Sequence, residues 1–108
     1  MIVFAADTGT KTDTELNTAT IPPWNVVLLD DDHHTYNYVV EMLRAVFGMS
    51  KERAYLHALE VDSQHRTILI TTSREHAELK QEQVHAYGPD HRIPHCKGSM
   101  TAIIEPAN

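Results

Sequence analysis

The chain has 108 residues, of which 42% are hydrophobic and 22% charged, with a formal net charge of -6. That length suits one domain with a real core and no mass for a second, and nine scattered Lys and Arg exclude the clustered basic surface that nucleic acid requires. The lone cysteine, Cys96, leaves no internal disulfide and fits a reducing compartment.

Residues 1 to 23 are rich in Thr, Asp, Asn and Ala without a sustained period, which predicts a flexible N-terminal arm closed by Pro22-Pro23. The run from Ile2 to Ala5 lacks a basic flank and is no secretory signal. No apolar stretch approaches a membrane span, so the chain is expected to be soluble and cytoplasmic, with no membrane partner.

Trp24 to Leu29 reads as a first strand, apolar on both faces. It runs into Asp30, Asp31 and Asp32, then two histidines and a threonine, then a helix starting near Thr35. That helix carries Val39, Met42, Leu43, Val46 and Phe47 at helical spacing and stops at Gly48, a residue suited to a left-handed cap. Helix capping and the macrodipole account for one or two acids at such a junction. Three acids between an apolar strand and an apolar helix face suggest a small cationic group held beside a hydrophobic pocket; a solvated loop with one capping Asp is the plainer reading.

Ser50 is placed to cap a second helix over residues 51–61, with Ala54, Ala58 and Val61 along one stripe. Gln64 to Arg66 form a turn, and Thr67 to Thr71 is a second strand by β-branched content. Ser73 caps a third helix, Arg74 to Tyr87, whose apolar face (Ala77, Val84, Tyr87) is narrow, so much of it is free for a partner. Gly88-Pro89-Asp90 ends it, residues 91–98 form a loop, and Met100 to Ile104 is the last strand. The order strand, helix, helix, strand, helix, strand predicts a two-layer α+β domain with three helices on a three-stranded antiparallel sheet, over residues 24–108.

Eight histidines raise the question of a metal. His91, His95 and Cys96 offer three ligands and His33-His34 beside the aspartates offer others, but neither has the spacing of a closed zinc site. There is no Gly-x-Ser-x-Gly elbow, no Gly-rich phosphate loop, and no evident base for Cys96. The chain is not expected to be an enzyme, and no cofactor is implied.

From Trp24 to Ile104 the sequence resembles the ClpS family, small adaptors that hand substrates bearing destabilising N-terminal residues to a Clp AAA+ ATPase. The resemblance rests on VVLLDDD, similar to the family's strand followed by Asn-Asp-Asp, on the Glu52-Arg53-Ala54 tripeptide, and on the spacing from there to Glu75 and Lys80. It implies a site for the free α-amino group of an N-degron at Asp30, Asp31 and Asp62, with His34 where the family has a threonine. It implies a pocket for the first side chain lined by Leu28, Tyr36, Val39, Ala58 and Val61; plain core packing is the alternative for these five. It also implies docking on a Clp ATPase of the ClpA or ClpC type through Glu75 and Lys80, with the N-terminal arm engaging the ATPase and the adaptor acting as a monomer on N-degron substrate proteins.

The chain departs from the family's pattern at Asp30 (asparagine in the family), Asp62 (histidine), and Tyr36 and Ala58 (methionines). The added acids would tighten capture of a cationic N-terminus unless they share a proton. The pocket would keep an apolar or aromatic preference with an altered ranking. The stretch from Gly88 to Gly98 is longer than the compact family form. Three other readings stand beside this one: a ClpS-like regulator that docks on the ATPase without reading N-termini, a His-rich metal-binding module, and a scaffold similar to the ribosomal stalk protein's C-terminal domain.

Overall fold

A computed structural model describes residues 21–31, 34–94 and 98–107. The expected arm therefore lies largely outside the described residues, as do Asp32, His33, His95 and Cys96.

The elements are β1 (Trp24–Leu29), α1 (Tyr36–Phe47), α2 (Lys51–Gln64), β2 (Arg66–Thr72), α3 (Arg74–Ala86) and β3 (Ala102–Pro106). The sheet order is β2-β1-β3, antiparallel throughout. β1 is thus the central strand, which explains its apolar character on both faces: Val26, Val27 and Leu28 are all fully buried. Opposite the Val26–Val27 step the pairing skips from Ile70 to Ile68, so Leu69 is the extra residue of a β-bulge, and it too is buried.

Each helix starts where its cap residue predicts. Thr35 accepts from the Tyr38 N–H, Ser50 from Arg53 and Ser73 from His76. Gly48 ends α1 at φ 68°, the left-handed cap that a glycine takes without steric cost. β2 gains a residue at each end and α3 ends one residue early, at Ala86; the larger differences from expectation are in α2 and β3. α2 runs one turn further, to Gln64, because His65 itself takes the left-handed cap (φ 70°) and Arg66 then enters β2. β3 begins at Ala102, since its partner β1 pairs only from Leu28 backwards, and Pro106 closes the edge strand opposite Trp24.

The core lies between the sheet and the helices: Val26, Leu28, Tyr38, Met42, Leu43, Ala58, Leu69 and Val84, among others, form one cluster. Among the described residues no helix is long and apolar enough to cross a membrane.

Candidate functional site

The acid-rich corner sits at the end of the central strand, and the backbone on both sides holds it there. The Leu29 N–H donates to the Thr101 carbonyl and the Asp30 N–H to the His65 carbonyl, each at 3.0 Å. Asp30 is therefore fixed beside the end of α2, which carries Asp62.

Three side-chain contacts organise the acids. The Tyr36 hydroxyl donates to Asp62 Oδ2 at 2.5 Å. His65 Nδ1 lies 3.3 Å from Asp30 Oδ2. His34 Nδ1 lies 2.8 Å from Asp31 Oδ1, and His34 Nε2 lies 2.7 Å from the Gly98 carbonyl. Each ring nitrogen of His34 thus faces an oxygen, one on the acid-rich corner and one on the loop before β3. Its side chain is 4% exposed and its ring packs 4.5 Å from that of Tyr38.

The Tyr36 phenol feels Asp62 first through the hydrogen bond, then desolvation, the Asp62 charge, and the nearby Tyr55 and Asp30. All of these raise its pKa, to about 12. Asp30, Tyr36 and Asp62 therefore share one electrostatic neighbourhood, while Asp31 is turned to His34.

The loop after α3 closes on this corner. Asp90, 1% exposed, accepts from the Thr35 N–H (2.9 Å), the Thr35 hydroxyl (2.8 Å), the Arg92 N–H (3.0 Å) and the Arg92 guanidinium (3.3 Å). Burial alone would raise its pKa, but these bonds outweigh desolvation and hold it at about 2. Arg92 also donates to Glu41 on α1. The Tyr38 hydroxyl donates to the Gly88 carbonyl at 2.6 Å, and Ser99 bridges back to Gly88. Sequence reasoning missed Asp90 because Gly-Pro-Asp reads as a helix terminator, and nothing local announces a partner 55 positions away.

The expected pocket residues divide. Leu28, Val39, Ala58 and Val61 are 0–5% exposed and belong to the core cluster, whereas Tyr36 is 37% exposed and stands outside it. The structure shows these four as packed core near the acids. Open grooves lie elsewhere, one along α1 and Arg92, another along the outer side of α2.

Glu75 and Lys80 both lie on α3, but their surroundings differ. Glu75 is exposed in the first turn. Lys80 is half-buried: it donates to the Val46 carbonyl at 2.8 Å and to Gln83 at 3.1 Å, with its ammonium 5.6 Å from the Phe47 ring centre. It thus satisfies one of the end carbonyls of α1. Among the described residues no three His, Cys, Asp or Glu side chains are grouped to hold a metal ion.

Residues 19–95 match the family model described as ATP-dependent Clp protease adaptor protein ClpS. Proteins named ATP-dependent Clp protease adapter protein ClpS are similar over most of the chain. That of Desulforapulum autotrophicum is 37% identical over 73 residues, covering 68% of this chain and 70% of its own length. That of Hydrogenovibrio crunogenus is 37% identical over 75 residues, covering 68% and 72%. That of Ruegeria sp. strain TM1040 is 33% identical over 89 residues, covering 82% and 79%. Among solved structures, Agrobacterium tumefaciens ClpS2 bound to L-phenylalaninamide superposes with a TM-score of 0.68 at 22% identity, covering 79% of this chain and 96% of that one. That likeness bears on the fold.

Proposed function

The chain belongs to the ClpS family of ATP-dependent Clp protease adaptor proteins, and from that premise we propose that it captures substrates by a free, bulky apolar N-terminal residue. The observation that carries this reading is the acidic corner at the end of the central strand, with Asp30 and Asp62 grouped around Tyr36 beside the apolar α1–α2 packing. An α-amino group has a pKa of ~7.7–8.0 and is mainly cationic at neutral pH. Carboxylates accept its N–H bonds with charge-assisted strength. Asp30, Asp31 and Asp62 would receive the ammonium, with His34 holding Asp31 in place. The first side chain would enter between α1 and α2, against Leu28, Tyr36, Val39, Ala58 and Val61. The solved relative bound to L-phenylalaninamide has an amino-acid amide as its ligand, which supports an aromatic occupant.

The α3 face carrying Glu75 and Lys80 would dock on a Clp AAA+ ATPase of the ClpA or ClpC type. The adaptor would act as a cytoplasmic monomer, contributing recognition while the ATPase supplies unfolding; no catalysis by the chain itself is invoked.

Fluorescent peptides with free N-terminal Leu, Phe, Tyr, Trp, Arg or Met test this reading, with N-acetylated copies and an Asp31→Ala variant as controls. Binding confined to the bulky apolar set, lost on acetylation and weakened by the variant, is the expected result. Failure of every peptide would refute N-degron capture. One observation favours a second reading, an ATPase-docking regulator that ignores N-termini: all three carboxylates already have internal partners. Retained ATPase binding without peptide binding would select it.

A further inference from the structure

Each carboxylate of the proposed α-amino site faces a donor from the protein itself: Asp31 faces His34 at 2.8 Å, Asp30 faces His65 at 3.3 Å and Asp62 faces the Tyr36 hydroxyl at 2.5 Å. Tyr36 differs from the two histidines because it is also the exposed member of the side-chain pocket. It is the first residue of α1, and its phenol crosses to α2 to reach Asp62, next to Val61 and one turn beyond Ala58. Val39 lies one turn further along α1. The ring spans the two helices at the level where Val39, Ala58 and Val61 are buried, and it is braced by Tyr55 at 6.0 Å between ring centres.

Resting on the N-degron reading above, we propose that Tyr36 is a gate whose hydroxyl stands in for the substrate's α-ammonium on Asp62. Phenol O–H and ammonium N–H compete for the same carboxylate oxygens, and the charged donor makes the stronger bond. A substrate that takes Asp62 releases the phenol, and the released ring gives the first side chain access to the apolar α1–α2 packing of Val39, Ala58 and Val61. Head and side-chain recognition are thereby coupled through one residue. A free amine with no bulky side chain moves the ring without recovering apolar contact. A bulky residue with a blocked amine cannot release the ring at all. The methionine that the family carries at this position has no hydroxyl for such a bond.

The test compares dissociation constants of wild type and Tyr36→Phe for three peptides: free N-terminal Phe, its N-acetylated copy, and free N-terminal Gly. Tyr36→Phe keeps the ring and removes the competing donor. The expected result is tighter binding of the free Phe peptide by about three- to tenfold, the range set by removing one competing hydrogen bond of ordinary net strength. The acetylated peptide stays unbound, and the Gly peptide remains weaker than the Phe peptide. Wild type that binds the free Phe peptide, with Tyr36→Phe equal or weaker, overturns the gate and leaves N-degron capture standing. Binding by the variant alone supports the gate as a strong lock. Binding by neither overturns N-degron capture and the gate with it.

Discussion

Asp90 holds Thr35 twice through a single carboxylate oxygen, receiving its N–H at 2.9 Å and its hydroxyl at 2.8 Å. The same hydroxyl accepts from the Tyr38 N–H at 3.1 Å, so the N-cap of α1 is oriented by a residue beyond α3. The other Asp90 oxygen is taken by Arg92, which ties the loop down.

Asp90→Asn should therefore destabilise the fold measurably. The folded pKa of about 2 lies below the ordinary 3.8, so the contribution is present above about pH 4 and lost as pH falls through 2. A shift of that size corresponds to roughly 2 kcal/mol at neutral pH. Denaturant melts at pH 7 and pH 2.5 should show the variant weaker at the first and closer to wild type at the second.

Tyr36 should ionise at about 12, and Asp62→Asn should bring it back toward 10. A raised phenol pKa stabilises the fold fully below about pH 10, and that contribution fades as pH climbs through 12. Ultraviolet titration of single Tyr→Phe variants reads this directly. A Tyr36 titration unchanged by Asp62→Asn would contradict the hydrogen bond.

His34→Ala removes bonds to Asp31 and to the Gly98 carbonyl as well as the stack on Tyr38. The expected loss is about 1–3 kcal/mol, visible as a drop in Tm by calorimetry. Glu82→Ala, at an exposed position of α3, serves as the control and should be near neutral.

Lys80→Ala should cost about 1 kcal/mol of stability because it strips a bond from the end of α1, whereas Glu75→Ala should cost a few tenths at most. Both should weaken binding to a Clp ATPase. Calorimetric titration with the ATPase, read beside the melts, separates the two effects, and Glu75 gives the cleaner answer about docking.

What can be read from the sequence is local. Thr35, Ser50 and Ser73 announce three helix starts and Gly48 one stop, because a cap is chosen by its own backbone and its nearest turn. The apolar run of β1 announces a strand buried on both faces. His65 gives no such signal: a histidine in the left-handed region is uncommon, and the apolar stripe of α2 ends three residues before the helix does. The bulge at Leu69 and the start of β3 depend on register with β1, which no short window contains. At the site, the acids are legible as a cluster, but their partners are not. Tyr36 to Asp62 spans 26 positions and His34 to Gly98 spans 64, and only the packed fold brings such pairs together.

The anchoring of Leu29 to Thr101 and of Asp30 to His65 has a consequence for tempo. With the strand end pinned on both sides, the proposed gate would move by rotation of one exposed phenol while Asp30 stays in place. Side chains of that kind flip in picoseconds to nanoseconds, far faster than a protein partner arrives. Encounter, not opening, would then set how quickly a substrate is sampled, and discrimination would fall on how long each one stays.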